Sequence, residues 1–416
     1  MTAAVITAAE FAAVMDRLGP FEPSPRVAVA ISGGADSMAA GLLVDHWARM
    51  RGGAALALIV DHGIRPGSAA EAGLVASRLL NLGIETDLLR LHGLGRGPAL
   101  AERARDARHQ ILETACAARG ILHLVFGHHA QDQAETVVMR MLARSKAAGL
   151  SAMAALVEAE QVSKLRPLLG MPAQRLRATL LARGVAWVED PSNTDRNFLR
   201  PRLRARQAQA PMAIRALAAA AQLRGQARAR VDIIWQAELA RCAEIFPQGY
   251  ALIPDGPIAA LALAHLIMAI GGAIRPPVDP QIKALAARPC AATLGGVRLV
   301  RAGRLGSGWL LLREEAAMQA AIPAGPGVLW DGRYRLCHLP DAASGRSDLT
   351  IGAWGRDATR DRHGLPSLVL RTLPVLRAGA DLLATGEELF RGPRPHIVRA
   401  PSRPAATAPF FPLPAV

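Results

Sequence analysis

Cysteine is scarce in this chain and never paired at short range: the four are Cys116, Cys242, Cys290 and Cys337, and no two form a CxxC. That excludes a zinc knuckle or a redox dithiol, and it suits a reducing compartment where each thiol is a small buried hydrophobe. No uninterrupted run of 18 apolar residues occurs, so no membrane span is expected. The opening stretch carries acids and no basic segment ahead of an apolar part, unlike a signal peptide. A cytoplasmic protein with no membrane partner is the expectation. Lysine is nearly missing too: only Lys146, Lys164 and Lys283 stand among 49 basic residues. With alanine abundant, arginine in place of lysine fits a coding sequence rich in G and C, so where the arginines lie says more than how many there are.

What is present is apolar and basic. A chain of 416 residues with 51% hydrophobic content has material for two or three cores, and wholesale disorder is excluded. The net charge of +15 favours a polyanionic partner, most simply nucleic acid. Between Arg140 and Arg206 there are 13 basic residues against 5 acids, a local excess of more than half the total surplus.

Short apolar runs alternate with helical patterns through the first half. Val27–Ile31, Ala55–Val60, Ile84–Leu91 and Ile121–Phe126 read as strands, with helices after each: to about Met50, from about Ser68, over about Ala99–Arg119, and from near Ala130. That alternation predicts an α/β fold with a parallel sheet covered on both faces, and ligands beyond the carboxyl ends of its strands. Pro211–Arg241, broken only by Gly225, reads as a long helix or helical pair. Beyond about Glu244 lie strand-like runs such as VRLV, WLLLRE and YRLCHLP, which suggest a smaller α+β domain. Its proline-rich end, from Pro401 onward, is expected to fray.

Directly after the first strand stands Ser32-Gly33-Gly34-Ala35-Asp36-Ser37, opening a helix. Adjacent glycines let the backbone approach an anion closely, and the helix N-terminus offers unpaired N–H groups to a phosphate. Ser32 and Ser37 add hydroxyls, and Asp36 is placed to hold Mg²⁺ against the phosphates. No GK[ST] follows, so the loop is not of the Walker kind. A plain glycine turn with a capped helix explains the same letters less well. Just past the fourth strand, His128 and His129 precede Asp132 and Glu135, two acids on one helix face. Such a cluster suits a metal or, alternatively, an amine whose ammonium is held and then deprotonated by carboxylates.

These residues together resemble one family. SGGADS after VAVAI is similar to the pyrophosphatase-loop (PP-loop) ATPases. Asp61-His62-Gly63-Ile64-Arg65, ARDARH (104–109), GHHAQDQAET (127–136) and WVEDPSNTDRNFLRPRLR (187–204) follow in the order of the tRNA(Ile)-lysidine synthetases. The resemblance implies a ligase that adenylates the wobble cytosine of tRNA(Ile) with a CAU anticodon, using ATP and Mg²⁺. L-lysine then replaces the AMP. It implies Asp36, His129, Asp132 and Glu135 as catalytic residues, with Asp36 on the metal. Ser32, Gly33, Gly34, Ala35, Asp36, Ser37 and His62 are implied at the nucleotide, and Arg105, Arg108, Arg200 and Arg204 at the RNA substrate. The organisation expected is a catalytic domain at 1–210, a helical linker at 211–243 and a tRNA-binding domain at 244–416. Arg224, Arg228 and Arg230 on the linker are expected to meet tRNA phosphates.

The chain departs from this pattern in one loop. Where the family has an RGSG-like stretch, Ala143-Arg144-Ser145-Lys146 stands here, both glycines gone, and Gln131 replaces a common acid. Two other readings share the phosphate loop. A tRNA-thiolating enzyme would call for cysteine pairs, which are missing, and a catalytically dead tRNA-binding protein sits badly with an intact SGGADS, Asp132 and Glu135.

Overall fold

The computed structural model describes residues 3–63, 67–91, 100–189, 202–203, 211–277, 280–343, 345–358, 364–391 and 396–412. The chain divides into two compact units, one of residues 1–231 with 408–416 and one of residues 232–407.

Unit one is built on a six-stranded sheet. Its elements are α1 (Ala8–Asp16), β1 (Arg26–Ile31), α2 (Ala35–Arg49), β2 (Ala54–Asp61), α3 (Ser68–Asn81), β3 (Glu85–Arg90), α4 (Leu100–Ala118), β4 (His123–Phe126), α5 (Ala130–Leu142), β5 (Leu156–Glu158), β6 (Ser163–Leu165) and α6 (Ala173–Ala182). The strands lie in the order β3-β2-β1-β4-β6-β5, all parallel except the edge pair β5–β6. This is the expected α/β parallel-sheet fold.

Strand periodicity explains the layering. Val27, Val29 and Ile31 point into a core shared with α1, α2, α3 and α6, whereas Ala28 and Ala30 point into one shared with α4. Every residue of β1 after Arg26 is buried, as a strand covered on both faces requires. The chain runs outward from β1 to β3, then returns to lay β4 on the other side of β1. The β1/β4 boundary is therefore the switch point, and the loops leaving those two strands face each other across the crevice.

One long helix, α7 (Pro211–Cys242), covers the whole stretch that composition left as one helix or two. Its first part, through Ala221, packs on α5 near Val137 and Ala152. Residues 408–412 of the tail correct an expectation, for they are packed within unit one through Phe410 and Phe411. The Ala155 N–H donates to the Phe411 carbonyl (2.8 Å), Leu156 bridges Phe411, and Phe410 is buried. Gly225 marks the crossing: a Cβ there would sit 2.7 Å from the Phe410 ring. Arg228 stacks over that ring at 4.8 Å and donates to the Ala148 carbonyl, and Arg224 and Arg230 are exposed.

Unit two carries β7 (Glu244–Ile245), β8 (Ala251–Ile253), α8 (Ala260–Gly271), α9 (Gln281–Ala287), β9 (Ala292–Leu294), β10 (Val297–Arg301) and β11 (Trp309–Arg313). These strands form an antiparallel sheet, β7-β8-β11-β10-β9, and two smaller antiparallel sheets follow it in sequence. The VRLV and WLLLRE runs are its central pair, with Val297 opposite Arg313. Among the described residues no helix is long and apolar enough to cross a membrane.

Candidate active site

The SGGADS loop lies where the switch point predicts. Gly33 takes φ +85°, which only glycine adopts freely, and Gly34 caps α2 with no side-chain bond among the described residues. The first turn of α2 therefore presents its N–H groups to the crevice. Serine hydroxyls hold the loop in shape: Ser37 Oγ accepts the Ser32 N–H (3.1 Å), donates to the Gly34 carbonyl (3.0 Å) and lies 3.2 Å from Ser32 Oγ. The Gly33 carbonyl accepts the Val188 N–H (2.9 Å), which ties the start of the WVED run to the same loop.

The facing loop, Gly127-His128-His129, leaves β4. A Cβ on Gly127 would lie 2.8 Å from the Asp36 carbonyl oxygen, so the glycine is what lets the two loops touch. His129 caps α5. Its Nδ1 accepts the Gln131 N–H (3.2 Å), while Asp132 Oδ2 accepts the His129 N–H (3.0 Å), the reciprocal bonds of a capping box. An Nδ1 that accepts puts the neutral ring's proton on Nε2. That Nε2 lies 3.2 Å from Asp36 Oδ2 and 3.6 Å from Asp132 Oδ2. His129 is buried, so the acid of the phosphate loop and an acid of α5 are joined through an imidazole shielded from water. Glu135 follows on the same helix and is 1% exposed.

Asp36 keeps a 38% exposed side chain at the crevice. A single open carboxylate beside a phosphate cradle fits Mg²⁺, which keeps several waters and takes one or two carboxylates plus phosphate oxygens. Gln131, standing where an acid is common, links α5 to α6: its Oε1 accepts the Ala173 N–H (3.0 Å).

At the end of β2, Asp61 accepts from Ser68 Oγ (2.7 Å) and the Gly63 N–H (3.0 Å), and those two bonds lower its pKa. His62 beside it is half-buried. Burial, then the charge of Arg108 on α4, lowers its pKa. Arg105 is exposed on α4 and Arg108 is half-buried one turn later. Arg200 and Arg204, with Ile64, Arg65 and Asp190, lie outside the described residues.

Two further residues belong to this region: His109, which closes the ARDARH run, and Arg166, which carries no strong sequence signal. Arg166 follows β6 with 9% exposure, and His109 follows Arg108. Both pack on Phe126, the last residue of β4: the His109 ring is 5.0 Å from its ring and the Arg166 guanidinium 5.8 Å. Burial and the charges of Lys164, Arg105, Arg108 and Arg166 push the His109 pKa down to about 4.

The departing loop has a definite geometry. Ser145 N–H bonds to the Arg140 carbonyl and Arg144 N–H to the Met141 carbonyl, so α5 ends in a Schellman turn with Arg144, at φ +51°, in the left-handed seat. Glycine is favoured there because a Cβ costs about 1 kcal/mol. Arg144→Gly should therefore raise the unfolding free energy by about 0.5–1 kcal/mol, the gain being trimmed by the added freedom of the unfolded chain. Urea unfolding of both proteins reads this out; a lower midpoint for the variant would mean that the Arg144 side chain contributes more than its strain costs.

Residues 5–210 match the family model for the PP-loop domain. Over 389 residues the chain is 35% identical to the tRNA(Ile)-lysidine synthase of Ruegeria pomeroyi, covering 87% of this chain and 88% of that one. It is 37% identical to the enzyme of that name from Mesorhizobium japonicum, over 86% of this chain and 82% of that one. With the one from Bradyrhizobium sp. it shares 43% identity over 47% of this chain and 55% of the relative.

Proposed function

The chain belongs to the tRNA(Ile)-lysidine synthase family, and from that premise we propose how its own residues divide the work. It is an ATP-dependent carbon–nitrogen ligase acting on tRNA. The nucleic acid is tRNA(Ile) with a CAU anticodon, and the amine is the ε-amine of L-lysine. ATP transfers AMP to the ring carbonyl oxygen of the wobble cytosine and pyrophosphate leaves. The amine then attacks that carbon and AMP departs, carrying away an oxygen that is a poor leaving group until adenylated.

The N–H groups at the start of α2, with Ser32 and Ser37, hold the ATP phosphates. Asp36 would hold Mg²⁺, which would supply charge neutralisation at those phosphates. His129 donates its Nε2 proton to Asp36 and so fixes the direction of that carboxylate. Asp132 and Glu135 bind the incoming ammonium and take its proton, leaving a neutral nucleophile. The observation that supports this division best is His129 Nε2 at 3.2 Å from Asp36 and 3.6 Å from Asp132, which sets one imidazole between the carboxylates proposed for the two half-reactions. The reaction belongs in the cytoplasm, with its tRNA.

Elongator tRNA(Met) carries the same wobble cytosine, and a pocket for one flipped base meets identical contacts in both. Selectivity therefore belongs to surfaces away from the anticodon: the exposed Arg224 and Arg230 of α7 and the C-terminal region over 244–416. The test is pyrophosphate release and lysine incorporation with tRNA(Ile), with tRNA(Met) and without RNA, for the wild type and for Arg224→Glu/Arg230→Glu. The expected result is turnover that needs tRNA(Ile), with an apparent tRNA KM raised about tenfold or more in the variant, in line with losing two phosphate contacts. ATP turnover without RNA would overturn the substrate; an unchanged KM and selectivity would remove the two arginines.

A further inference from the structure

Unit one holds a cavity of about 750 Å³ that the reaction as described leaves unused. It lies between the starts of α5 and α6, the first three turns of α7 and the returning tail. Ala130 and Gln133 of α5 line it, whereas Asp132 and Glu135 stand on the opposite side of the same helix. The cavity is therefore a second site, behind the catalytic helix, and its wall begins at the residue next to His129. Its walls are of two kinds. Met153, Ile214, Phe410 and Pro412 make an apolar side. Gln131 and Gln174 make a polar one, and bonds orient their amides: the Ala173 N–H donates to Gln131 Oε1 (3.0 Å), and Gln131 Nε2 donates to Gln174 Oε1 (3.3 Å). Gln133 fixes the shape of the wall by bonding both the N–H and the carbonyl of Met153 (2.8 and 2.9 Å). Among the described residues, the charged side chains of the walls are both arginines: Arg175, held by Glu10, and Arg215, exposed on α7.

We propose that this cavity takes a nucleobase, and that the base is one next to the wobble cytosine in the anticodon loop of the tRNA substrate. The chemistry of the walls selects that class. A base is flat and apolar on its faces, and it carries donors and acceptors along its edge. An oriented pair of amides reads such an edge, since each offers a carbonyl acceptor and N–H donors at fixed places. Small-ligand pockets run from about 300 to 1,000 Å³, with apolar walls and a few placed polar groups, so there is room for a base and its ribose. An ammonium would meet arginines here, which sets this cavity apart from the site proposed for lysine. Arg215 at the rim suits the phosphodiester that joins such a base to its neighbour. Turning the wobble cytosine out of its stack for adenylation also strips the adjacent base of a stacking partner, and splayed loop bases are what proteins read in RNA. The proposal rests on the tRNA reading given above, and its test has one arm that does not.

Ala218→Trp, at a half-buried wall position, fills the cavity from α7, and Gln174→Leu removes one amide at an exposed position. Gln174→Leu carries the test alone if the tryptophan variant does not fold. The probes are anticodon stem-loops of tRNA(Ile), intact or with one abasic nucleotide on either side of the wobble cytosine. In filter binding, the wild type should lose about tenfold or more in affinity for one of the two abasic loops, the scale of a lost base contact. Ala218→Trp should bind the intact loop as weakly as that abasic one, with little further loss when the base is removed, and Gln174→Leu should show part of the same effect. In turnover the stem-loop KM should rise by a similar factor while kcat changes far less, because the catalytic crevice is untouched. The arm independent of RNA is thermal unfolding of the whole chain with each of the four free nucleosides. A nucleoside that stabilises the wild type and neither variant, with equal abasic losses in all three proteins, would keep the cavity as a base site and overturn RNA as the source. Such stabilisation in a protein that binds no tRNA would overturn the tRNA reading and keep the cavity. Equal abasic losses in all three proteins, with no nucleoside telling them apart, would overturn the proposal.

Discussion

Asp36→Ala should lower pyrophosphate release by about a hundredfold or more while leaving tRNA affinity within about twofold. Both halves of that expectation come from position. Asp36 sits in the first turn of α2, at the crevice edge, with its Oδ2 against His129 Nε2. Removing it takes away the carboxylate proposed for the metal and releases the imidazole that caps α5. Affinity for tRNA, by contrast, is spread over many phosphate contacts, none of which depends on one acid. Single-turnover release of pyrophosphate, alongside filter binding of labelled tRNA, separates the two quantities. Undiminished release would take Asp36 out of the ATP site.

Asp132→Asn and Glu135→Gln should divide the reaction at its midpoint. Adenylated tRNA should still form within about fivefold of the wild-type rate, whereas its conversion by lysine should slow by about a hundredfold or more, the range of a lost proton acceptor. The substitutions are chosen for the geometry. Asparagine keeps an oxygen to accept the His129 N–H, so the cap on α5 survives, and glutamine fills the volume of the buried Glu135. Quenched-flow assays that follow AMP on the tRNA and lysine on the product separately make the test. If both variants lose pyrophosphate release together, these carboxylates serve the nucleotide and the proposed division fails.

How much could be read from the residues depended on how local the cause was. β1, β2 and α2 appear within a residue or two of their expected bounds, because an unbroken apolar run and a glycine turn are local signals. The same holds for the phosphate loop and the start of α5. The three-residue strands β5 and β6 carry no period long enough to notice, and with them went Arg166, which matters only because β6 lies beside β4. The bond between His129 and Asp36 is a product of the strand order. Asp132 illustrates two causes at one residue, since it caps a helix for local reasons and faces the crevice for topological ones. Prolines after Pro401 pointed to a loose end, while the signal that counted was the aromatic pair Phe410-Phe411, for which Gly225 leaves room. The contact of Arg228 with the Phe410 ring was illegible for the same reason, since nothing local in the helix marks an aromatic partner 182 residues away.

That returning tail bears on how the protein is made. Ala408 reaches Glu158 across 250 residues of intervening chain, and Phe411 supplies the acceptor for the Ala155 N–H beside it. A ribosome delivers the sheet of unit one early, and N-terminal domains usually fold as they emerge. Here that sheet waits for its last contacts until all of residues 232–407 have been translated. A polypeptide cut short anywhere in unit two thus leaves Ala155 and the groove at Gly225 uncovered, and synthesis that stops early yields a catalytic unit without its closing piece.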